Sequence, residues 1–210
     1  MDIIYKKTSL AEELILIGAM DKGIVVPLAP NDSYFGIRFK PSILSFLLNQ
    51  KMDRYSNKIV SLKDVSSELH NKLNSFKEKD TLNIEKLNFL FKEKKSKIKI
   101  DDRIINCINF IEKYQGSIEI KDLIKKVNIS QRQLERLFLN HLGYSPKRFI
   151  RVIRFYSIHK NILENGTNNL SAVANDYGYF DQAHFNKEYK EFTNFPPKDE
   201  NMSILYNTKK

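Results

Sequence analysis

A chain of 210 residues suits one large or two small domains and can bury a core without covalent staples. Apolar residues at 41% and charged residues at 29% are ordinary for a soluble globular protein, while 35 Lys and Arg against 25 Asp and Glu leave a charge of +10 that favours polyanionic partners. One cysteine, Cys107, excludes an internal disulfide and multi-cysteine zinc patterns, and no apolar run approaches the ~18 residues of a membrane span.

The start, MDIIYKKTSL, lacks a signal-peptide core, so a cytoplasmic location is expected. Residues 1 to 40 read as β-prone and turn-rich. Short strands are expected at Glu13–Met20, Gly23–Leu28 and Ser33–Phe39, with Ala29-Pro30-Asn31-Asp32 supplying a turn between the last two. Three short strands cannot close a sheet with both faces covered, so helices, another chain or a larger β unit would have to cover them.

From Pro41 the apolar period becomes helical. Pro41 suits a first helical position ahead of Ile43, Leu44, Phe46, Leu47 and Leu48. Ser61 to Asp64 resembles a helix start, followed by the stripe Leu62, Val65, Leu69, Leu73 and Phe76. A third helix is expected from Thr81, carrying Leu82, Ile84, Leu87, Leu90 and Phe91. These stripes read as intramolecular core, with homodimer pairing through residues 61–95 as the alternative. Lys92 to Lys99 (KEKKSKIK) marks a boundary between residues 1–95 and 100–200. It reads as a solvated linker, with phosphate contact as the alternative.

Asp101 to Tyr114 reads as a helix with Ile104, Ile108 and Ile111 inward and Cys107 as a buried, inert thiol. A short helix, Asp122 to Val127, follows. Ser130 with Gln133 three residues on forms a capping-box pattern, and Leu134, Leu137 and Phe138 give the next helix one apolar face. Gln131, Arg132, Gln133, Glu135 and Arg136 remain outside, side chains able to reach base edges or phosphates in a groove. Helix, tight turn and capped helix with a polar outer face is the helix-turn-helix plan. Gly143 to Pro146 then breaks the chain and starts a long helix to about Glu164. Phe149, Ile150, Ile153, Ile158 and Ile162 face inward, and Lys147, Arg148, Arg151 and Arg154 cluster positive charge on its first half. That cluster reads either as phosphate contacts or as a solvated face. Leu170 to Tyr177 is a short helix ended by Gly178. Asp181 caps a last one to Phe192, with Phe185 and Tyr189 inward and Gln182, His184, Asn186 and Lys187 outward. The chain thus holds two helix-turn-helix units joined by one long helix. At ~1.5 Å per residue that helix suits two grooves recurring every ~34 Å, so a bipartite site in adjacent major grooves is expected.

Gly143-Tyr144-Ser145-Pro146, followed by Phe149-Ile150-Arg151 and Arg154, resembles the end of the first motif in AraC/XylS-type transcription regulators. Val173 to Phe185 (VANDYGYFDQAHF), through Lys190 and Pro196-Pro197, resembles that family's second-motif signature, and the resemblance covers about Asp101 to Lys198. It implies a seven-helix DNA-binding domain with recognition helices in successive major grooves. By position, the base-facing residues it implies are Gln131, Arg132, Glu135 and Arg136, then Gln182, Ala183, His184, Asn186 and Lys187, with Lys190 a phosphate contact. It also implies a regulator of transcription, activator or repressor, with double-stranded DNA and RNA polymerase as partners, and no cofactor. Two departures stand out: Lys198-Asp199-Glu200-Asn201 replaces the usual aromatic and arginine after the late proline, and Ala183 offers no hydrogen bond. Phe35 to Pro41 is similar to the last strand and following helix of the sensor domain some of these regulators carry. In the relatives that domain is a β barrel holding an effector, most of whose strands would precede Met1, so the start reads as a truncated or a reduced sensor.

The expected class is therefore mainly α: a C-terminal helical bundle with two helix-turn-helix units, preceded by a small α+β region. Catalysis is not expected. There is no glycine-rich phosphate loop, nucleophile elbow or metal-spaced His/Glu pair, and His70, His141, His159 and His184 are scattered. The rival reading is a helical protein-interaction module that does not bind DNA. It expects hydrophobic or acidic outer faces where these are polar and mixed-basic.

Overall fold

The computed structural model describes residues 1–20, 22–24, 29–79, 81–97, 100–166 and 170–197, with side chains left out at 95–97. The molecule is mainly α, with a small antiparallel sheet near its N-terminus. Two compact units divide it: residues 1–20, 26–104 and 135–144 form the first, and the described residues of 21–25, 105–134 and 145–210 form the second.

Alternation of buried and partly exposed positions builds the first sheet. Strand β1 (Asp2–Lys7) pairs antiparallel with β2 (Glu12–Ile17), placing Ile3 opposite Leu16 and Tyr5 opposite Leu14. All four side chains are buried, as period-two spacing requires when one face meets a core. Strand β3 (Ser33–Arg38) joins the other edge of β1, with Phe35 stacked on Tyr5 at 4.7 Å between ring centres. Gly36 is needed there, because a Cβ would stand 2.3 Å from the Ile3 carbonyl oxygen. The expected strand Glu13–Met20 is shorter, and β1 was not among the expected strands. At the expected strand Gly23–Leu28, Gly23 and Ile24 are irregular, and Val25 to Leu28 lie outside the described residues.

Helix α1 (Ile43–Leu48) begins two residues after Pro41, with Ser42 at its start in the left-handed region, φ 70°. A 3₁₀ turn, Met52–Tyr55, leads to β4 (Ile59–Ser61), which pairs with β2 and completes the order β3-β1-β2-β4. Ser61 therefore ends a strand, and the continuous helix expected from Ser61 to Phe76 is divided. Helix α2 (Leu62–Val65) stops where Ser66 turns extended, φ −158°. The Ser66 hydroxyl then caps α3 (Ser67–Ser75) by accepting from the Leu69 N–H at 3.2 Å. A two-stranded hairpin, β5 (Lys77–Glu78) with β6 (Thr81–Leu82), occupies the expected start of the next helix. Asn83 opens α4 (Ile84–Lys97) instead, accepting from the Lys86 N–H at 2.9 Å. Leu62, Val65, Leu69, Leu73 and Leu90 are buried with Ile3, Tyr5, Leu14 and Leu16, so both stripes contribute to one intramolecular core.

Helix α5 (Asp102–Lys113) buries Ile104, Cys107, Ile108 and Ile111. Gly116, φ +74°, ends the following turn, where an added Cβ would lie 2.6 Å from backbone atoms of Ile150 and Arg154. Helix α6 (Ile120–Val127) starts two residues earlier than expected because Glu119 and Asp122 form a capping box. Helices α7 (Gln131–Leu142), α8 (Pro146–Asn165), α9 (Leu170–Asp176) and α10 (Gln182–Thr193) follow. Ile158, Ile162, Ala174, Tyr179, Phe185 and Tyr189 form a core of the second unit. Residues from Lys198 on, where a further helix was implied, lie outside those described.

Candidate nucleic-acid interface

Helix α7 is fixed by its first turn. The Ser130 N–H donates to Gln133 Oε1 at 2.9 Å and the Gln133 N–H donates to Ser130 Oγ at 3.3 Å, the reciprocal pair of a capping box. Leu134, Leu137 and Phe138 are buried, so Gln131, Arg132, Gln133, Glu135 and Arg136 are left exposed on the opposite face. Arg132 and Arg136 lie one turn apart, and neither forms an ion pair among the described residues. Their guanidinium forks are therefore available to an external acceptor.

Helix α10 repeats the plan. Asp181 Oδ1 accepts from the His184 N–H at 2.7 Å, and Phe185 and Tyr189 are buried. Gln182, Ala183, His184, Lys187 and Lys190 are exposed. Asn186 is half-buried with its carboxamide oxygen inside, so it presents less than the sequence pattern suggested. His184 Nδ1 accepts from the Phe180 N–H at 3.4 Å, which in the neutral ring puts the proton on Nε2 and a donor at the outward tip.

The basic cluster of α8 divides by partner. Arg151 donates from Nε to Glu188 and from Nη2 to Glu191, each at 2.6 Å. Arg148 pairs with Glu191 and lies 4.3 Å from the Phe192 ring centre. Glu188 is 3% exposed and also accepts from the Tyr179 hydroxyl at 2.8 Å. Burial and the adjacent Glu188 carboxylate both push the Tyr179 phenol well up. Burial would raise the Glu191 carboxyl, but its hydrogen bonds with Arg151 and Arg148 outweigh that and hold it below the usual range. Arg154 donates to the Gly178 carbonyl at 3.2 Å and sits over the Tyr179 ring. These three arginines thus tie α8 to α10 and to the turn before it. Lys147 is exposed and forms no ion pair among the described residues. Glu188 and Glu191 went unread in the sequence; their signal is an acidic pair spaced by three residues, matching the spacing of Arg148 and Arg151.

Between the start of α6, α8 and α10 lies an open cleft of about 820 Å³, lined by Lys121, Lys147, Arg154, His184 and Lys187 among others. Among the described residues no group of three or more His, Cys, Asp or Glu is placed to hold a metal, and no helix is long and apolar enough to cross a membrane.

This is the layout of a helix-turn-helix protein, with two capped helices that each bury one face and present polar side chains on the other. Residues 123–200 match a family model described as "Helix-turn-helix domain". The HTH-type transcriptional regulator GbdR of Pseudomonas aeruginosa is 36% identical over 83 residues, 40% of this chain and 22% of that relative. The lactose operon transcription activator of Staphylococcus xylosus is 32% identical over 91 residues, 43% of this chain and 32% of the relative. A crystal structure of a transcriptional regulator from Chromobacterium violaceum, described with an AraC-type DNA-binding domain, matches with a TM-score of 0.45 at 21% identity, over 51% of this chain and 96% of that one. The chain accordingly carries a helix-turn-helix domain at residues 123–200, and it matches about a fifth to a third of the length of these two curated relatives.

Proposed function

We propose that the chain is a sequence-specific DNA-binding transcription regulator that reads a bipartite site in two adjacent major grooves. The observation that carries this reading is the repeated plan of α7 and α10: a capped first turn, a buried apolar face, and exposed hydrogen-bonding side chains opposite. Arg132 and Arg136 suit guanine O6 and N7, and Glu135, acceptor-only, suits the cytosine amino group. Gln131 completes that face. On α10, Gln182, His184 through its Nε2–H, Lys187 and the half-buried Asn186 are the base-reading group. Phosphate contact falls to Lys147 and Lys190, while Arg148, Arg151 and Arg154 act by holding α10 against α8. The 20 residues of α8 span about 30 Å at ~1.5 Å per residue, close to the ~34 Å between successive major grooves on one DNA face.

Residues 1–95 serve in this reading as a reduced sensor or dimerisation region, and since Leu62, Val65, Leu69, Leu73 and Leu90 are taken up in the intramolecular core, a homodimer through residues 61–95 would use the exposed Ile84 and Phe89 of α4. RNA polymerase is the further partner, activation the mode, and the cytoplasm, on the nucleoid, the location. No catalytic step and no cofactor is assigned. Selection of bound sequences from random duplexes tests the reading. A non-palindromic site with two halves about one helical turn apart should emerge, and inserting about five base pairs between the halves should reduce binding to that of one half alone. Arg132→Ala and Arg136→Ala should each relax one position of the selected site at a cost of about 1–3 kcal/mol. Failure to enrich any sequence would favour a helical protein-interaction module instead, and indifference to the insertion would overturn the two-groove arrangement.

A further inference from the structure

The turn before α10 holds an aromatic ring that the fold does not use. Phe180 is 90% exposed. It stands one residue before the capping Asp181, a position where an apolar side chain ordinarily packs on the fourth helical residue as a hydrophobic staple. That residue is Phe185, which is buried, yet the ring packed on it is that of Tyr179, at 5.3 Å between centres and 76° between planes. Tyr179 is anchored again through its hydroxyl to Glu188. The staple is thus already made by the preceding residue, and Phe180 has no part in it.

Its backbone is held nonetheless. Gly178, φ +76°, closes the turn, and its carbonyl accepts from Arg154. The Phe180 N–H donates to His184, and Asp181 caps the helix. A phenyl ring on a turn fixed at both sides is presented outward at the entry of the helix assigned above to the second groove. Exposed Gln182 and Ala183 follow it, and Lys187 and Lys190, unpaired among the described residues, lie further along the same helix. Ala183 is apolar, and apolar side chains read one feature of the major groove, the C5-methyl of thymine.

We infer that Phe180, with the exposed Ala183 three residues on, reads a thymine methyl at the edge of the half-site taken by α10. This rests on the DNA-binding reading proposed above, and it explains how a helix with an alanine at a base-facing position contributes to specificity without a hydrogen bond there.

Replacing thymine by deoxyuridine removes the methyl and leaves base pairing and every groove donor and acceptor in place. In the selected duplex, thymines of the α10 half are replaced singly and affinity is measured for the full chain and for Phe180→Ser and Phe180→Leu. The unsubstituted protein should lose about fourfold at one uridine position, the worth of about one buried methyl-sized group. Phe180→Ser should bind the thymine duplex about fourfold more weakly and lose nothing more at that uridine, whereas Phe180→Leu should keep part of the discrimination. Uridine effects in the α7 half and the thermal unfolding midpoint should be unchanged by either substitution. The inference is overturned if the protein binds the selected duplex but is indifferent to every uridine in that half, a result that leaves DNA binding itself intact. It is equally overturned if Phe180→Ser keeps full uridine sensitivity, or if it binds the thymine duplex as tightly as the unsubstituted protein, as a ring that contacts another protein would.

Discussion

Replacing Glu188 should test how α10 is held. Its carboxylate, 3% exposed, accepts from Arg151 Nε at 2.6 Å and from the Tyr179 hydroxyl at 2.8 Å. Removing one member of a buried pair typically costs about 3–5 kcal/mol, chiefly because the other charge is stranded. Here Arg151 retains Glu191 at 2.6 Å and its side chain is 27% exposed, so the stranding is partial. Glu188→Leu should therefore cost about 2–4 kcal/mol, and Glu188→Gln, which keeps an acceptor without the charge, about 1–2 kcal/mol. The sharper test is a double-mutant cycle with Tyr179→Phe. In the unsubstituted protein that change forfeits a hydrogen bond to a charged acceptor, about 1.5–3 kcal/mol. In the Glu188→Leu background it removes a buried hydroxyl already lacking its acceptor, so the cost should vanish or change sign. Urea unfolding followed by far-ultraviolet circular dichroism gives these differences, the chain having no tryptophan to report. If Tyr179→Phe costs the same in both backgrounds, the two residues do not act as one network and the anchoring of the turn before α10 to Glu188 is refuted.

Acid should weaken the fold through His159, which is 2% exposed, with its ring between Phe155 and Tyr189 and its pKa lowered by burial. A histidine whose folded pKa is depressed stabilises fully above its ordinary value and loses that stability as pH falls from 6.5 through the folded value. Comparing pH–stability profiles, His159→Phe should flatten part of this decline, with the half-buried His141, lowered likewise by burial, supplying a further part; parallel profiles would exclude His159 as a source. Salt titration of duplex binding should separate the α8 cations, Lys147→Ala making the salt slope shallower by about one unit while Arg148→Ala leaves it unchanged at the salt concentrations where the variant remains folded. An equal change of slope for both would return Arg148 to the phosphate-contacting group.

The parts of the candidate interface that were legible in the sequence are those written within one helical turn. Ser130 with Gln133, Ser145 with Pro146, and Asp181 before Gln182 are local signals, and each sits where the cap forms. The inward faces of α7 and α10 follow from periodicity, because a helix has one register. The sheet was less legible. Strand β1 carries no clean alternation, since Ile4 sits between Ile3 and Tyr5, and its partner β3 lies some 30 residues away, so only pairing reveals it. Likewise, Thr81 has the chemistry of a helix cap and serves as a strand residue, and Ser61 both ends β4 and precedes α2 without a side-chain cap bond, because tertiary pairing overrides a weak local preference. The roles of Arg148 and Arg151 were hidden for the same reason. A basic helix face is the same string of letters whether its partners are phosphates or the carboxylates of another helix.

That ambiguity resolves along chemical lines. The two arginines turned inward, Arg148 and Arg151, meet carboxylates, where a planar fork can make parallel hydrogen bonds and stack on Phe192, and where a lysine would offer only a point charge. The cations left outward near them, Lys147, Lys187 and Lys190, are lysines, strongly hydrated and mobile, suited to neutralising a backbone without fixing a geometry. Outward arginines recur on α7, at Arg132 and Arg136, where the proposed function has use for a fork as a reader of guanine. The two helices proposed to read DNA would therefore differ in kind. Helix α7 presents directional hydrogen bonding from long side chains that adapt to the base edge. Helix α10 presents Gln182, His184 and Lys187 beside the short, apolar Ala183, with Phe180 on the turn before it, and these last two cannot adapt and must be delivered by the backbone. If those apolar groups meet DNA as proposed, the helix behind them needs a stiff mount, and the Arg148, Arg151, Glu188 and Glu191 network supplies one.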